Sequence, residues 1–413
     1  MEPVRRRLAE LELALHVGSR TVDDEVAGTS RVAGTGTRRW RAVRRVRGGG
    51  AAGPLLVALA TFVIGGVAYP REFTVFDFNS VVSTAAPIVL LATGMTFVLL
   101  AGEIDLSVGS LMSLASVMLA TWMNGQNNRE TVVIVATVGS CAVIGALNGI
   151  LVVLGKIPSF IVTLSMLFII GGINLVWTNG SPPSGLAPSF VSLALAGHGI
   201  LTTGAGIIVV TPVLASLVLS RTRLGRSLYL IGSNRRAAIN TGIPSGLFVT
   251  SAFAISGACA GLAGTYATSY SGSGQTTLGS GMELTAIAAA VIGAVSLFGG
   301  RGTAVGAAAG GLILALLFNI LLLAGTSAQI QPVATGVVLI AGSFAYNRST
   351  SSSPNWLKDL LRLRRVWRVG RAGQTSPEEA PESARLVDLD GSGSDSREEV
   401  MSSEHGTQRQ LGS

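Results

Sequence analysis

The chain has 413 residues, of which 48% are hydrophobic and only 13% charged, and its mean hydropathy is +0.55. A water-soluble domain needs about a quarter of its residues charged to cover its surface, so this composition excludes one and calls for lipid as solvent. The net charge of +8 and pI near 10.3 do not point to nucleic acid, because the Arg residues cluster beside apolar runs, where positive charge at one mouth of membrane helices explains them.

Residues 1–50 are polar and basic. Val4 to Val17 predicts a short amphipathic helix with Leu8, Leu11 and Leu15 on one face. Arg38 to Arg47 is a basic cluster around Trp40, suited to anchoring topology or touching anionic lipid head groups. No stretch reads as a cleavable signal peptide, since the first apolar run begins near Ala51. Between residues 51 and 346 run length predicts about ten membrane spans. They fall near 52–69, 81–101, 106–123, 131–153, 158–178, 204–220, 246–267, 284–298, 303–324 and 331–346. The 53 glycines predict close helix packing, with small residues recurring at Gly257, Gly261 and Gly264 and at Gly302, Gly306 and Gly310. Residues 347–413 are expected to form a cytoplasmic tail, disordered beyond Gln374 where it turns acidic and loses large apolar residues.

Loop charge sets an expected orientation. With the N-terminus in the cytoplasm, the inner loops hold Lys156, Arg221, Arg223, Arg226, Arg235, Arg236 and Arg301, and the outer loops only Arg71 and Arg129. Every loop in turn then obeys the positive-inside rule, with both termini inside.

Nothing in the chain reads as catalytic. His16, His198 and His405 are scattered, Cys141 and Cys259 lie inside spans without metal-ligand spacing, and no Gly-x-x-x-x-Gly-Lys-Ser/Thr loop exists to bind ATP. Neither a cofactor nor a metal is expected. The near absence of ionisable residues in the spans argues against a proton-coupled carrier. The turn Gly102–Gly109 echoes Gly299–Gly306, which reads as shared turn chemistry.

The longest inner loop, Arg221 to Ser245, is the most informative. Asn234 can cap a short basic helix through Arg235, Arg236, Ala237, Ala238, Ile239 and Asn240, which Gly242 ends and Pro244 bars from continuing. Either it fixes topology, or it is a rigid knob that fits a groove on a partner.

This loop resembles the coupling segment of the bacterial ABC sugar permease family, which includes the ribose, galactose and xylose permeases. That family reads close to G-x-N-x-x-A-A-x-x-x-G-I, matched here by Gly232, Asn234, Ala237, Ala238, Gly242 and Ile243. AGEIDLSVGS (101–110), GALNGILVVLGKIPSFIVTLSMLFIIGGI (145–173) and MELTAIAAAVIGAVSLFGGRGTAVGAAAG (282–310) are similar to further blocks of the family in the same order. Two positions depart from it: Glu103 stands where the family has Gly, and Ala294 replaces the second Gly of its G-G-x-S.

The resemblance implies an all-α polytopic membrane protein with the ABC importer permease fold. It implies three partners: a separate ATP-binding cassette ATPase, an extracytoplasmic sugar-binding protein, and a second permease subunit, identical or not. Membrane lipid is its surroundings. Arg226, Gly232, Asn234, Arg235, Arg236, Ala237, Ala238 and Gly242 would then form the ATPase-coupling loop. Asp105 reads as a cap on the third span or a gate residue. Glu283 reads as a snorkelling residue at the outer end of the eighth span, or as the mouth of the pathway. Asn148, Thr163, Asn174 and Asn319 read as interhelical hydrogen-bonders or as polar lining for a hydroxylated solute. The solute implied is a monosaccharide. An autoinducer, a nucleoside or a branched-chain amino acid stays open, as does a stand-alone secondary carrier.

Overall fold

The structure, a computed structural model, describes residues 52–68, 75–198 and 201–350. The N-terminal extension, where the Val4–Val17 helix is expected, and the tail beyond 350 lie outside the described residues. Helix α1 is Ala52–Ala68, α2 Val75–Leu100, α3 Val108–Met123, α4 Glu130–Gly155 and α5 Ser159–Trp177. A short α6 (Pro188–Leu195) and a two-stranded hairpin, β1 (Gly197–His198) with β2 (Leu201–Thr202), lead into α7 (Thr203–Arg221). Then follow α8 (Arg223–Ser233), α9 (Arg235–Asn240), α10 (Ser245–Ser271), α11 (Met282–Ile292), α12 (Ala304–Leu323) and α13 (Ile330–Thr350). Every expected span meets a helix. Among the described residues, six helices are long and apolar enough to cross a membrane, and four shorter apolar ones lie among them.

Helix α2 is apolar on every side and is enclosed almost completely, as a helix without a polar stripe must be. It shares the centre of the bundle with α10, which crosses α4, α2 and α3. Those crossings are close because small residues meet there. A Cβ on Gly257 would overlap the Cys141 carbonyl and one on Gly145 the Phe253 carbonyl, while Gly261 lies against Val138. Helices α11 and α12 meet likewise, through Gly293 on Gly306 and Ala289 on Gly310. Lipid offers no hydrophobic drive between helices, so this close fit is what binds them. Helices α4, α5 and α7 turn Val135, Val143, Leu154, Phe168, Val176 and Val209 outwards, a face suited to acyl chains. Cys141 and Cys259 are free and buried.

Two segments differ from the expected spans. The third begins at Val108 after a seven-residue irregular loop. The eighth is an 11-residue helix, α11, which covers about 16 Å of a hydrocarbon layer roughly 30 Å thick. Its helix ends at Gly293 because residues 294–303 hold four left-handed residues, Ala294 (φ 62°), Gly299, Gly300 and Gly302. Before it, residues 272–281 run antiparallel along α3 without forming a helix. Their amides are satisfied by a serine stripe: Gln275 N–H donates to Ser116 Oγ (2.9 Å) and Gly279 N–H to Ser113 Oγ (2.9 Å). Irregular backbone at membrane depth needs such protein partners, since no water is there to supply them.

Ala294 carries a testable cost. A left-handed non-glycine residue costs about 1–2 kcal/mol, more than the roughly 0.4–1 kcal/mol of extra chain entropy that glycine would lose on folding. Ala294→Gly is therefore expected to raise the thermal midpoint in detergent by roughly 2 °C. A scanning-fluorimetry midpoint that falls instead would contradict that balance.

Candidate coupling and pathway site

The expected coupling segment is two helices meeting at a cap. Thr222 starts α8, its Oγ1 accepting from Gly225 N–H at 3.3 Å, and Asn234 starts α9, its Oδ1 accepting from Ala237 N–H at 3.0 Å. Gly242 (φ 78°) ends α9, donating its N–H to the Ile239 carbonyl at 2.9 Å. Leu228 and Ile231, one helical turn apart, bury one face of α8, and Ala238 buries one side of α9. Arg236, Ala237, Ile239 and Asn240 stay exposed on α9. Arg226 lies at the start of α8, its Nη1 donating to the Arg221 carbonyl at 3.2 Å.

The buried side of this segment is keyed to two turns, the 101–107 loop and the 293–303 turn, whose sequences echo each other. Those turns touch: Gly300 N–H donates to the Leu100 carbonyl (3.0 Å), and a Cβ on Gly299 would meet Gly102 Cα at 3.0 Å. Gly232 enters where they meet, so that a Cβ on it would overlap both the Leu100 oxygen and the Gly300 nitrogen. Tyr229 O–H donates to the Gly302 carbonyl at 2.7 Å. Arg235 Nη1 donates to Glu103 Oε1 at 2.6 Å, an ion pair whose carboxylate is nearly buried.

Deeper in, the 101–107 loop is pinned by three helices. Asp105 is fully buried. Its Oδ1 accepts from the Ser107 N–H (3.0 Å) and Oγ–H (2.6 Å), and its Oδ2 from Ser256 Oγ–H of α10 (2.8 Å). Asn148 Nδ2 of α4 donates to Ser107 Oγ at 2.9 Å. Ile104 N–H donates to Ser159 Oγ of α5 (3.2 Å), and Thr163 Oγ1 donates to the Ile104 carbonyl (3.3 Å). The N-cap position of α3 belongs to Ser107, so Asp105 is not the cap expected there; its carboxylate instead holds Ser107 itself. It ties α3 to α10 at a point about 16 Å along α10 from Ser245. The structure thus brings Asp105, Asn148 and Thr163 together.

The other three candidates stand apart. Glu283 is not at the outer end of a span. It lies in the first turn of the half-helix α11, its carboxylate packed on Gly109 of α3, half-buried and without an ion-pair partner among the described residues. The placement differs because residues 272–281 dip along α3 before the helix begins. Asn174 is fully buried on α5, with neither amide atom hydrogen-bonded in the described residues. Asn319 is nearly buried on α12. Sequence reasoning missed Ser107, Ser113, Ser116 and Ser256 as binding partners. The i, i+3 spacing of Ser107, Ser110, Ser113 and Ser116 was the available signal.

The end of the bundle carrying these turns holds Arg221, Arg223, Arg226, Arg235, Arg236 and Arg301. At the other end Trp122 and Trp177 lie half-exposed with ring centroids 6.1 Å apart, the placement of interfacial aromatics.

Residues 78–342 match the family described as branched-chain amino acid transport system / permease component. The ribose import permease protein RbsC of Escherichia coli K12 is 34% identical over 302 residues, covering 71% of this chain and 92% of that protein. The RbsC protein of Bacillus subtilis 168 is 36% identical over 292 residues, covering 70% and 90%. The autoinducer 2 import system permease protein LsrC of Salmonella choleraesuis SC-B67 is 34% identical over 294 residues, covering 69% and 82%. No solved structure matches the chain. A multi-pass helical bundle, a capped helix pair keyed to glycine turns, and this likeness agree: the chain belongs to the branched-chain amino acid transport system / permease component family, as a membrane-spanning permease subunit of an ABC importer.

Proposed function

We propose that this permease moves a monosaccharide of the ribose type inward across the bacterial cytoplasmic membrane, with the basic end of the bundle facing the cytoplasm. An ABC permease implies a partner ATPase and a substrate-binding protein. In this reading α9 docks into the ATPase through Arg236, Ala237, Ile239 and Asn240, and the binding protein meets the end bearing Trp122 and Trp177. A second permease subunit completes the pathway. The observation that carries the reading is the exposed face of α9, presented on a segment whose opposite side is locked to two turns at the mouth of the bundle. A knob held that firmly transmits displacement instead of absorbing it.

Glu283, Asn174 and Asn319 are the pathway candidates, polar groups that suit a neutral hydroxylated solute, and neither amide atom of Asn174 is hydrogen-bonded among the described residues. Among the described residues no cluster of His, Cys, Asp and Glu gathers around them. A second reading, import of a furanosyl autoinducer, rests on the equal identity of the LsrC protein.

Uptake into membrane vesicles with the cognate binding protein separates the two. Ribose uptake driven by ATP and competed poorly by the autoinducer supports the first reading, and the reverse supports the second. Ala237→Trp tests the docking role. Ala237 is exposed, so the indole meets no internal clash. Blocking a central interface contact costs about 2–4 kcal/mol, so uptake should fall roughly thirtyfold or more while membrane insertion stays intact. Wild-type uptake by this variant would remove the docking face from α9.

A further inference from the structure

We infer that the Glu103–Arg235 ion pair is the link through which movement of the coupling helix reaches the interior of this permease, an inference that rests on the coupling role proposed for α9. Arg235 is the first residue of α9, and Glu103 stands on the 101–107 loop, 132 positions away in sequence. Their contact is 2.6 Å, and the Glu103 side chain is 10% exposed while that of Arg235 is 45% exposed. An exposed ion pair is worth little, but this carboxylate is mostly withdrawn from water and its bond is charge-assisted and short.

What the pair joins matters more than its strength. Glu103 is held on both sides, with its own N–H donating to the Val98 carbonyl (3.2 Å) and the next residue, Ile104, bound to Ser159 and Thr163 of α5. Two residues further, Asp105 binds Ser256 of α10 and, through Ser107, Asn148 of α4. A displacement of Arg235 therefore pulls a loop whose other end grips three membrane helices. The route is short: the ion pair from α9 to Glu103, two residues of backbone from Glu103 to Asp105, and the Asp105–Ser256 hydrogen bond to α10. The steric contact at Gly232 can push α8 against the turns but cannot pull them, and the Tyr229 hydrogen bond pulls on the 293–303 turn alone. The ion pair supplies the pull on the 101–107 loop, and so makes the coupling to that loop work in both directions of the cycle. Glu103 is one of the two positions at which this chain departs from the glycine of the family it resembles. Glu103 and Arg235 act here as positioning residues, touching no solute.

The test is transport per ATP hydrolysed in the whole reconstituted importer, comparing the native chain with Glu103→Gln, Arg235→Gln and the charge-reversed pair E103R with R235E. Glutamine keeps the size of Glu103 and removes its charge. The expected result is that the ATPase still co-purifies in native amount with Glu103→Gln, while solute moved per ATP falls roughly tenfold, the effect of losing one charge-assisted hydrogen bond. The reversed pair should recover most of it, which a merely structural role would not require. Native coupling in Glu103→Gln, or no recovery in the reversed pair, overturns the inference. If no ATPase joins even the native chain, it is the coupling reading itself that fails.

Discussion

Asp105→Ala is expected to lower the stability of the bundle by about 3–5 kcal/mol, the cost of stranding buried hydrogen-bond donors. The carboxylate accepts three hydrogen bonds, from the Ser107 amide, the Ser107 hydroxyl and the Ser256 hydroxyl. Alanine leaves all three donors without an acceptor at a point where the side chain has no solvent exposure. Each stranded buried donor costs about 1–3 kcal/mol, and the loss is large against a typical stability of about 5–15 kcal/mol. Asp105→Asn keeps the shape and a single acceptor oxygen, so it should lose about half as much. Thermal melting in a mild detergent, read by size-exclusion recovery after heating, checks both. An Asp105→Ala protein that melts with the native one would show that the 101–107 loop is held by its other bonds alone.

Gly232→Ala should abolish ATP-driven transport, with a loss of at least about a hundredfold, while the chain still inserts and folds. A single methyl there overlaps the Leu100 oxygen and the Gly300 nitrogen. Both are backbone atoms of turns already in mutual contact, so neither can swing aside as a side-chain end could. Overpacking of this kind costs about 1–3 kcal/mol, and the cheapest relief is for α8 to lift off the turns. That separates the coupling helix from the loop it must move. Transport and binding-protein-stimulated ATP hydrolysis would fall together. Native transport in Gly232→Ala would show that the segment does not sit in the meeting point of the two turns when it works.

The order and rough positions of the apolar helices were legible because membrane spans announce themselves by run length, and Asn234 and Gly242 announced the ends of α9 by their capping chemistry. The broken eighth span was not legible. Its apolar run continues through Val295, Leu297 and Phe298, and only the left-handed geometry at Ala294 and the glycines after it ends the helix. Glu283 was misplaced for the same reason: run length gives no sign that residues 272–281 fold back along α3. The gathering of Asp105, Asn148, Thr163 and Ser256 depends on contacts up to 151 positions apart, which periodicity cannot reveal. The Glu103–Arg235 pair was visible only as an oddity, a carboxylate where a related turn has glycine. The echo between Gly102–Gly109 and Gly299–Gly306, read as shared turn chemistry, turned out to mark two turns in direct contact.

The most direct measurement is gentle purification of this chain from its native membrane, with mass spectrometry of every protein that travels with it. The account predicts a stoichiometric ATP-binding cassette subunit in the purified complex, lost when Ala237 is replaced by tryptophan. A chain that emerges alone from several mild detergents would contradict the docking role of α9.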